Sequence, residues 1–283
     1  MRNYVYDDLN INMIYKYLFI SLIPLIIFGV CRFGIFALVF DILGFGIGVL
    51  VNYLFNRKDN VITSDFYPFY GILCASLVSV KTNILIFGVM LLILFVLNKK
   101  FIDGKVNIVS LCVLLIILIS SFISKDYPLL ISSDSAYLDA TDHFLGKGSG
   151  GINATCTLLV LISYVYLSFK SFYRREIPIA AYLTFGGLNL VYLIASSNFD
   201  GFMSSFLANG ICFIFVYVAT LSSFSSYSKR GRILFGVLVG SITFALYFIN
   251  PAFSALGAVF LTSLTHNYLD KLLKLFHWYI YLS

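Results

Sequence analysis

The chain has 283 residues, of which 60% are hydrophobic and 11% are charged. A soluble domain carries roughly 25% charged residues, so this composition excludes a protein whose entire surface faces water. The formal net charge of +6 does not indicate a nucleic-acid partner, because the basic residues stand singly or in small groups between apolar runs. The expected surroundings are a lipid bilayer.

Apolar runs follow one another along almost the whole chain. A helix needs about 20 apolar residues to cross a hydrocarbon core about 30 Å thick. Ten runs approach this length, although the third and fourth are short, and they lie near 14–31, 33–55, 66–80, 83–98, 108–124, 152–169, 177–196, 202–226, 233–249 and 252–269. The sequence therefore predicts an all-α polytopic membrane protein with about ten transmembrane helices.

The Lys and Arg residues are distributed unevenly between the loops that join these runs. If the N-terminus is cytoplasmic, the outer side holds only Arg32, Lys81, Lys125 and Lys147 of the 19 Lys and Arg residues. An excess of positive charge marks cytoplasmic loops. We therefore expect both termini in the cytoplasm, segment 125–150 outside, and the chain in the plasma or inner cell membrane.

The longest polar stretch, 125–150, divides the runs into five and five. This division predicts a first five-helix half at 1–124, an external segment at 125–150, and a second five-helix half at 151–283. Because five is odd, the second half begins on the opposite side of the membrane. Related halves would then form inverted repeats, a common plan among membrane translocation proteins. Tyr70–Cys74 in the third run also resembles Asn209–Cys212 in the eighth.

Asp41 is an acid within the second run, in the sequence Val39-Phe40-Asp41-Ile42-Leu43. A carboxylate at that depth is costly unless it is partnered or hydrated, so we expect it to face the protein interior. Three interpretations remain open. The residue serves an ion or proton path, contacts another subunit, or makes a structural hydrogen bond to a neighbouring helix.

Glycines cluster in the same run, at Gly44, Gly46 and Gly48, and Gly186–Gly187 lies in the seventh run. Small residues allow two helices to pack closely, and they also allow a helix to break. Both interpretations remain open for these positions.

Segment 125–150 concentrates polar side chains, among them Asp126, Asp134, Asp139, Asp142 and His143. A metal site is conceivable, but these acids do not follow the spacing of a known metal-binding loop, so a solvated loop is favoured. The following glycines are not a P-loop, because no G-K-[ST] sequence follows them. The five cysteines show no C-x-x-C spacing. We predict neither a metal site nor a catalytic set.

Several segments resemble, in order, the motifs of one membrane-protein family. Lys229–Gly236 reads K-R-G-R-I-L-F-G, which is similar to the family's K-G-R-L-I-F-G, and Arg174–Pro178 resembles its R-x-I-P motif. The other matching segments are Tyr53–Asn56, Ile62–Asp65, Tyr166–Leu167 and Ala219–Thr220. Taken together, they resemble RnfD, a membrane component of the Rnf electron-transport complex, which is homologous to NqrB of the sodium-translocating NADH:quinone reductase.

The resemblance implies ten helices in two inverted halves. It also implies FMN bound through its phosphate to a threonine of a D-x-x-S-G-A-T motif in the external loop. Here the corresponding segment reads Tyr137-Leu138-Asp139-Ala140-Thr141, so Thr141 is the predicted attachment site. Thr155, which also follows an alanine, is an alternative. Tyr137 and Phe144 are the predicted aromatic contacts of the flavin ring.

The predicted function is that of a membrane subunit in a flavin-dependent, ion-translocating electron-transport complex. The resemblance implies further membrane and peripheral subunits as partners. Two alternatives remain: a small-solute channel or carrier with an inverted-repeat fold like that of urea channels, and a non-catalytic membrane scaffold. Flavin content would separate the first function from the others, and solute flux in liposomes would separate the channel from the scaffold.

Overall fold

The computed structural model describes residues 11–56, 66–102, 106–124, 140–148, 150–196, 210–226 and 228–282. Within these ranges the regular elements are helices. The first half contributes α1 (Ile11–Phe33), α2 (Ile35–Asn56), α3 (Tyr67–Leu77), α4 (Ile84–Leu97) and α5 (Ile108–Ser124). A π-helical turn, Asn98–Ile102, extends α4.

The second half is more irregular than the first. It contains the short helix α6 (Ala140–Phe144), then α7 (Thr157–Ser168), α8 (Glu176–Ser196), α9 (Ile211–Phe213), α10 (Lys229–Tyr247) and α11 (Pro251–Leu282). A π-helical turn, Ile214–Val218, continues α9. A 3₁₀ turn, Ser222–Phe224, follows it.

Five helices in the described part of the chain are long and apolar enough to cross a membrane. They are Met13–Phe33, Ile35–Phe55, Ile84–Phe101, Glu176–Ala195 and Lys229–Tyr247. Three shorter apolar helices accompany them, at Tyr67–Leu77, Ile108–Phe122 and Thr157–Ser168. The prediction of an all-α polytopic membrane protein is therefore confirmed in its broad form, whereas ten full-length spans are not.

Helix α3 is too short to cross the bilayer alone. Its 11 residues rise only about 17 Å, roughly half of a 30 Å hydrocarbon core. Pro68 occupies its first turn, where the missing N–H would have had no partner. Every residue of α3 is buried, so the surrounding elements shield it from lipid.

The eighth apolar run, near 202–226, is not one spanning helix. Its described part begins at Gly210, whose φ of 66° lies in the left-handed region, and passes from three α-helical residues into the π-helical turn. Residues 211–221 are all buried. Apolar composition alone did not reveal these breaks, because a buried irregular segment is as apolar as a lipid-facing helix.

Glycines in α2 permit its close contact with α3. A Cβ at Gly44 would collide with the backbone of Gly71, and a Cβ at Gly48 would lie 2.5 Å from Pro68 Cα. The packing interpretation is therefore confirmed for Gly44 and Gly48. The interpretation of Gly186–Gly187 as a break is wrong, because α8 runs without interruption from Glu176 to Ser196.

Hydrogen bonds from the start of α5 join residues 1–124 to residues 151–283. The Asn107 side chain donates to the carbonyl oxygen of Val218 at 2.9 Å, and the Asn107 backbone N–H donates to Ser263 Oγ at 3.0 Å. Helices α3 and α9, which lie in the third and eighth apolar runs, are both buried. The inverted repeat and its boundaries at 124 and 151 stay predictions.

Candidate functional site

Asp41 lies on α2 and faces the protein interior, as predicted, with 6% of its surface exposed. The amide nitrogen of Asn153 lies 3.0 Å from Asp41 Oδ1 and 3.1 Å from Oδ2, and donates to the carboxylate. The same nitrogen lies 3.0 Å from Ser76 Oγ at the end of α3. Asp41, Ser76 and Asn153 form a buried polar cluster, here called the Asp41 cluster.

The backbone around Asn153 is fixed against the end of α3. Ile152 N–H donates to the carbonyl oxygen of Val78 at 3.0 Å, and Asn153 N–H donates to that of Ser76 at 3.1 Å. A Cβ at Gly151 would lie 2.5 Å from Ser76 O, and one at Gly29 would collide with Asn153 Oδ1. The absence of side chains at these two glycines lets the segment enter the bundle and reach Asp41.

The charge of Asp41 is compensated by an amide and not by a cation. Among the described residues, the ion pairs join Lys147 to Asp142 and Arg232 to Glu176, and neither involves Asp41. An amide donor offsets only part of the cost of a buried carboxylate. The remaining cost favours binding of a proton or a small cation. Asn153 Oδ1 is also buried and accepts no hydrogen bond from the described residues.

A second set of polar contacts joins the halves nearer the end of the bundle where α1 begins. Tyr217 Oη donates at 3.0 Å to Ser21, whose carbonyl oxygen also accepts from Ser163 Oγ at 2.9 Å. Beside them lies a cavity of about 120 Å³, lined in part by Tyr173 and Thr220. Burial raises the pKa of Tyr173 well above its ordinary value, so its hydroxyl stays protonated, and it donates to Val216 O at 2.8 Å.

Helix α6 presents Thr141 on the protein surface. The Thr141 side chain is exposed, Phe144 is half-buried, and Tyr137 lies outside the described residues. Lys147 Nζ contacts Asp142 Oδ1 at 2.8 Å. Arg32 Nη2 donates to the carbonyl oxygens of Lys147 and Gly148, at 2.8 and 2.9 Å, and thereby ties this segment to the end of α1.

Thr155 differs from Thr141 in its surroundings. It is 5% exposed, and its Oγ1 is buried without a hydrogen-bond partner among the described residues. A flavin attached there would require the segment around Gly150 to open. The structure therefore buries Thr155, two positions after Asn153, and leaves Thr141 on the protein surface.

Two motif segments of the sequence meet at the other end of the bundle. Arg232 Nη1 lies 3.6 Å from Glu176 Oε2, and a Cβ at Gly236 would lie 2.7 Å from Ile177 O. The preceding Arg174 is buried and donates to the carbonyl oxygen of Ser225 at 2.6 Å.

The sequence model of the NQR2, RnfD, RnfE family matches residues 2–275 of the chain. The chain belongs to this family.

Members of the NQR2, RnfD, RnfE family are membrane subunits of ion-translocating electron-transport complexes. The resemblance that the motifs predicted is therefore confirmed, and the chain is an integral membrane protein of a family whose members belong to multi-subunit membrane complexes. No curated protein matches the sequence.

Sequence reasoning selected Asp41 but missed its partners. Asn153 and Ser76 lie 112 and 35 positions away from Asp41 in the chain, and only the fold brings them together. One signal was present, since Asn153 is a polar residue at the start of an apolar run, directly after two glycines and an isoleucine. Ser21, Ser163 and Tyr217 gave no signal, because single hydroxyl residues are frequent in membrane helices.

Proposed function

We propose that this member of the NQR2, RnfD, RnfE family is a divergent RnfD-type subunit that carries FMN on Thr141. It couples electron transfer through that flavin to ion movement at the Asp41 cluster. Both termini are cytoplasmic, and segment 125–150 is external. The observation that carries the proposal is the buried Asp41 carboxylate, which an amide from the second half holds without a cation among the described residues.

The residues around Thr141 fit a phosphate-linked flavin in exposure and partly in charge. The Thr141 hydroxyl is accessible on the surface of α6. Arg32 and Lys147 bring positive charge to the same segment, which favours an anionic phosphate, although Asp142 offsets part of it. FMN supplies the redox chemistry when bound, and the chain supplies the attachment point and the apolar face of Phe144.

Segment 140–156 is the physical link between the flavin and the ion site. Arg32 ties its outer part to α1, and two backbone hydrogen bonds tie its inner part to α3. A change of charge near Thr141 therefore acts on a segment whose inner end positions the Asn153 amide. That amide determines how strongly Asp41 attracts a proton or cation.

The test compares ion uptake and electron transfer between the intact wild-type complex and the complex carrying Asp41→Asn. Asparagine keeps the shape and a hydrogen-bonding carbonyl but removes the charge that attracts the ion. We expect assembly to persist and ion uptake into membrane vesicles per electron transferred to fall roughly tenfold, the effect of a barrier about 1.4 kcal/mol higher.

Glu176→Gln is the matched control, because it removes an acid that pairs with Arg232, outside segment 140–156 and without touching the Asp41 cluster. It should leave ion uptake per electron unchanged. Unchanged electron flux and unchanged ion uptake in Asp41→Asn would refute the ion-site assignment and leave Asp41 a structural role.

A further inference from the structure

A groove of about 330 Å³ lies on the side of the bundle between α7, α8 and the α9 segment. Buried Cys212 and Val216 form part of its floor. Its walls include Leu161 of α7 and Ile179 and Leu183 of α8. These side chains present carbon almost exclusively, so the groove suits a hydrocarbon chain.

The groove opens towards lipid and not towards water. Leu161, Ile179 and Leu183 are 39%, 48% and 71% exposed. The two α8 residues belong to the membrane-crossing helix Glu176–Ala195, and Leu161 belongs to an apolar helix beside it. The side chains that line an empty groove lack dispersion contacts. An acyl chain supplies these contacts, and no polar group has to be desolvated for it to bind.

A basic residue, Arg175, lies next to one end of the groove. Tyr164, which lines the groove, donates from Oη to the carbonyl oxygen of Arg175 at 3.2 Å. The Arg175 side chain is exposed. Neighbouring Glu176 pairs with Arg232, and no described acid lies within ion-pair distance of Arg175. Its guanidinium is therefore available to a phosphate.

The distance along α8 from Arg175 to the groove suits a phospholipid whose phosphate contacts Arg175 and whose acyl chain lies in the groove. Residues 178–183 follow Arg175 by about 5 to 12 Å at the helical rise of 1.5 Å per residue. We propose that the groove binds one anionic phospholipid, with an acyl chain between α7 and α8 and the phosphate against Arg175. The occupant belongs to the leaflet on the side of segment 169–175, which the charge distribution predicts to be cytoplasmic and where anionic lipids attract basic residues.

The experiment is native mass spectrometry of the full-length chain after exchange into detergent with equal amounts of phosphatidylglycerol and phosphatidylcholine of identical acyl chains. The wild type should retain one phosphatidylglycerol in preference to phosphatidylcholine. Arg175→Gln should lower that preference about fivefold, the contribution of one basic residue near an anionic surface. Arg175→Lys should keep most of it.

Groove-filling variants separate the acyl-chain site from the headgroup site. Leu183→Trp and Ile179→Trp should each reduce the retention of both lipids, with unchanged thermal unfolding as the check on folding. Leu190→Trp is the matched control, because Leu190 is an exposed leucine about two turns further along α8 and outside the groove. It should retain lipid as the wild type does.

Three results would overturn the proposal. They are equal retention of the two lipids by the wild type, wild-type retention by both groove-filling variants, and equal losses in Leu183→Trp and Leu190→Trp. Retention of a neutral quinone in place of phospholipid, in an amount that Arg175→Gln does not change, would also overturn the proposal.

Discussion

Asn153 supports the site at the scale of single residues, because it is the hydrogen-bond donor that Asp41 and Ser76 share. A carboxylate that loses its donor keeps its full desolvation cost, whereas removing both Asp41 and Asn153 leaves only the smaller, uncharged Ser76 hydroxyl without that donor. The contribution of Asn153 to stability therefore depends on whether Asp41 is present.

This dependence predicts the behaviour of two variants. Asn153→Leu should lower the free energy of unfolding by about 1–3 kcal/mol, because Asp41 is left without its donor. Asp41→Leu combined with Asn153→Leu should recover part of that loss, with a coupling of about 1 kcal/mol. Thermal unfolding in detergent measures both. Strictly additive losses would show that the two side chains do not interact.

Thr141 and Thr155 offer opposite environments for the same modification. Thr141 is exposed and Thr155 is 5% exposed, so only the first hydroxyl is accessible to an FMN transferase without rearrangement. Co-expression with such a transferase should add the mass of one FMN less water, visible by intact mass spectrometry. Thr141→Val should abolish the adduct, and Thr155→Val should leave it in place. No adduct under conditions that modify a standard family member would remove covalent flavin from the proposal.

At the scale of elements, the contact between α2 and α3 depends on two glycines facing each other. A Cβ at Gly44 or at Gly71 would strike the backbone of the opposite helix, which cannot yield as a flexible side chain can. Gly46, on the same helix as Gly44, has nothing within 4 Å of the place where its side chain would begin.

Gly44→Ala and Gly46→Ala therefore form a matched pair. Gly44→Ala should destabilise the protein by about 1–3 kcal/mol, because the helices must separate. Gly46→Ala should leave stability unchanged or raise it by up to about 1 kcal/mol, since alanine favours helix over glycine. Thermal unfolding compares the two, and equal effects would argue against the close contact.

Some of these elements could be predicted from the sequence and others could not. Long helices such as α1 and α2 were predictable, because each holds some twenty apolar residues and faces lipid on one side. The half-length α3 and the irregular segment 210–226 were not, since their limits depend on partners remote in the chain. Likewise, Asp41 was conspicuous as an acid in an apolar run, but the donor from Asn153 could be found only in the fold.

At the scale of the whole molecule, the distribution of Lys and Arg predicts which side of the membrane each loop faces. With native Cys31 replaced by serine, a cysteine at exposed position 171 should react only after the cells are opened. A cysteine at position 135 should react in intact cells. The measurement is labelling by a membrane-impermeant maleimide. Labelling of position 171 but not of position 135 in intact cells would show that the orientation is the reverse of the predicted one.

The short, fully buried α3 also constrains how the protein is made. Eleven residues are too few to be held in a bilayer as an independent span, and the backbone of residues 152–153 that satisfies its end is synthesised more than 70 residues later. While the ribosome is still translating the first half, the Ser76 and Val78 carbonyls have no such partner. These hydrogen bonds therefore form only after residues 152–153 have been made, and until then α3 depends for shelter on its neighbours in the first half, chiefly α2 and α5.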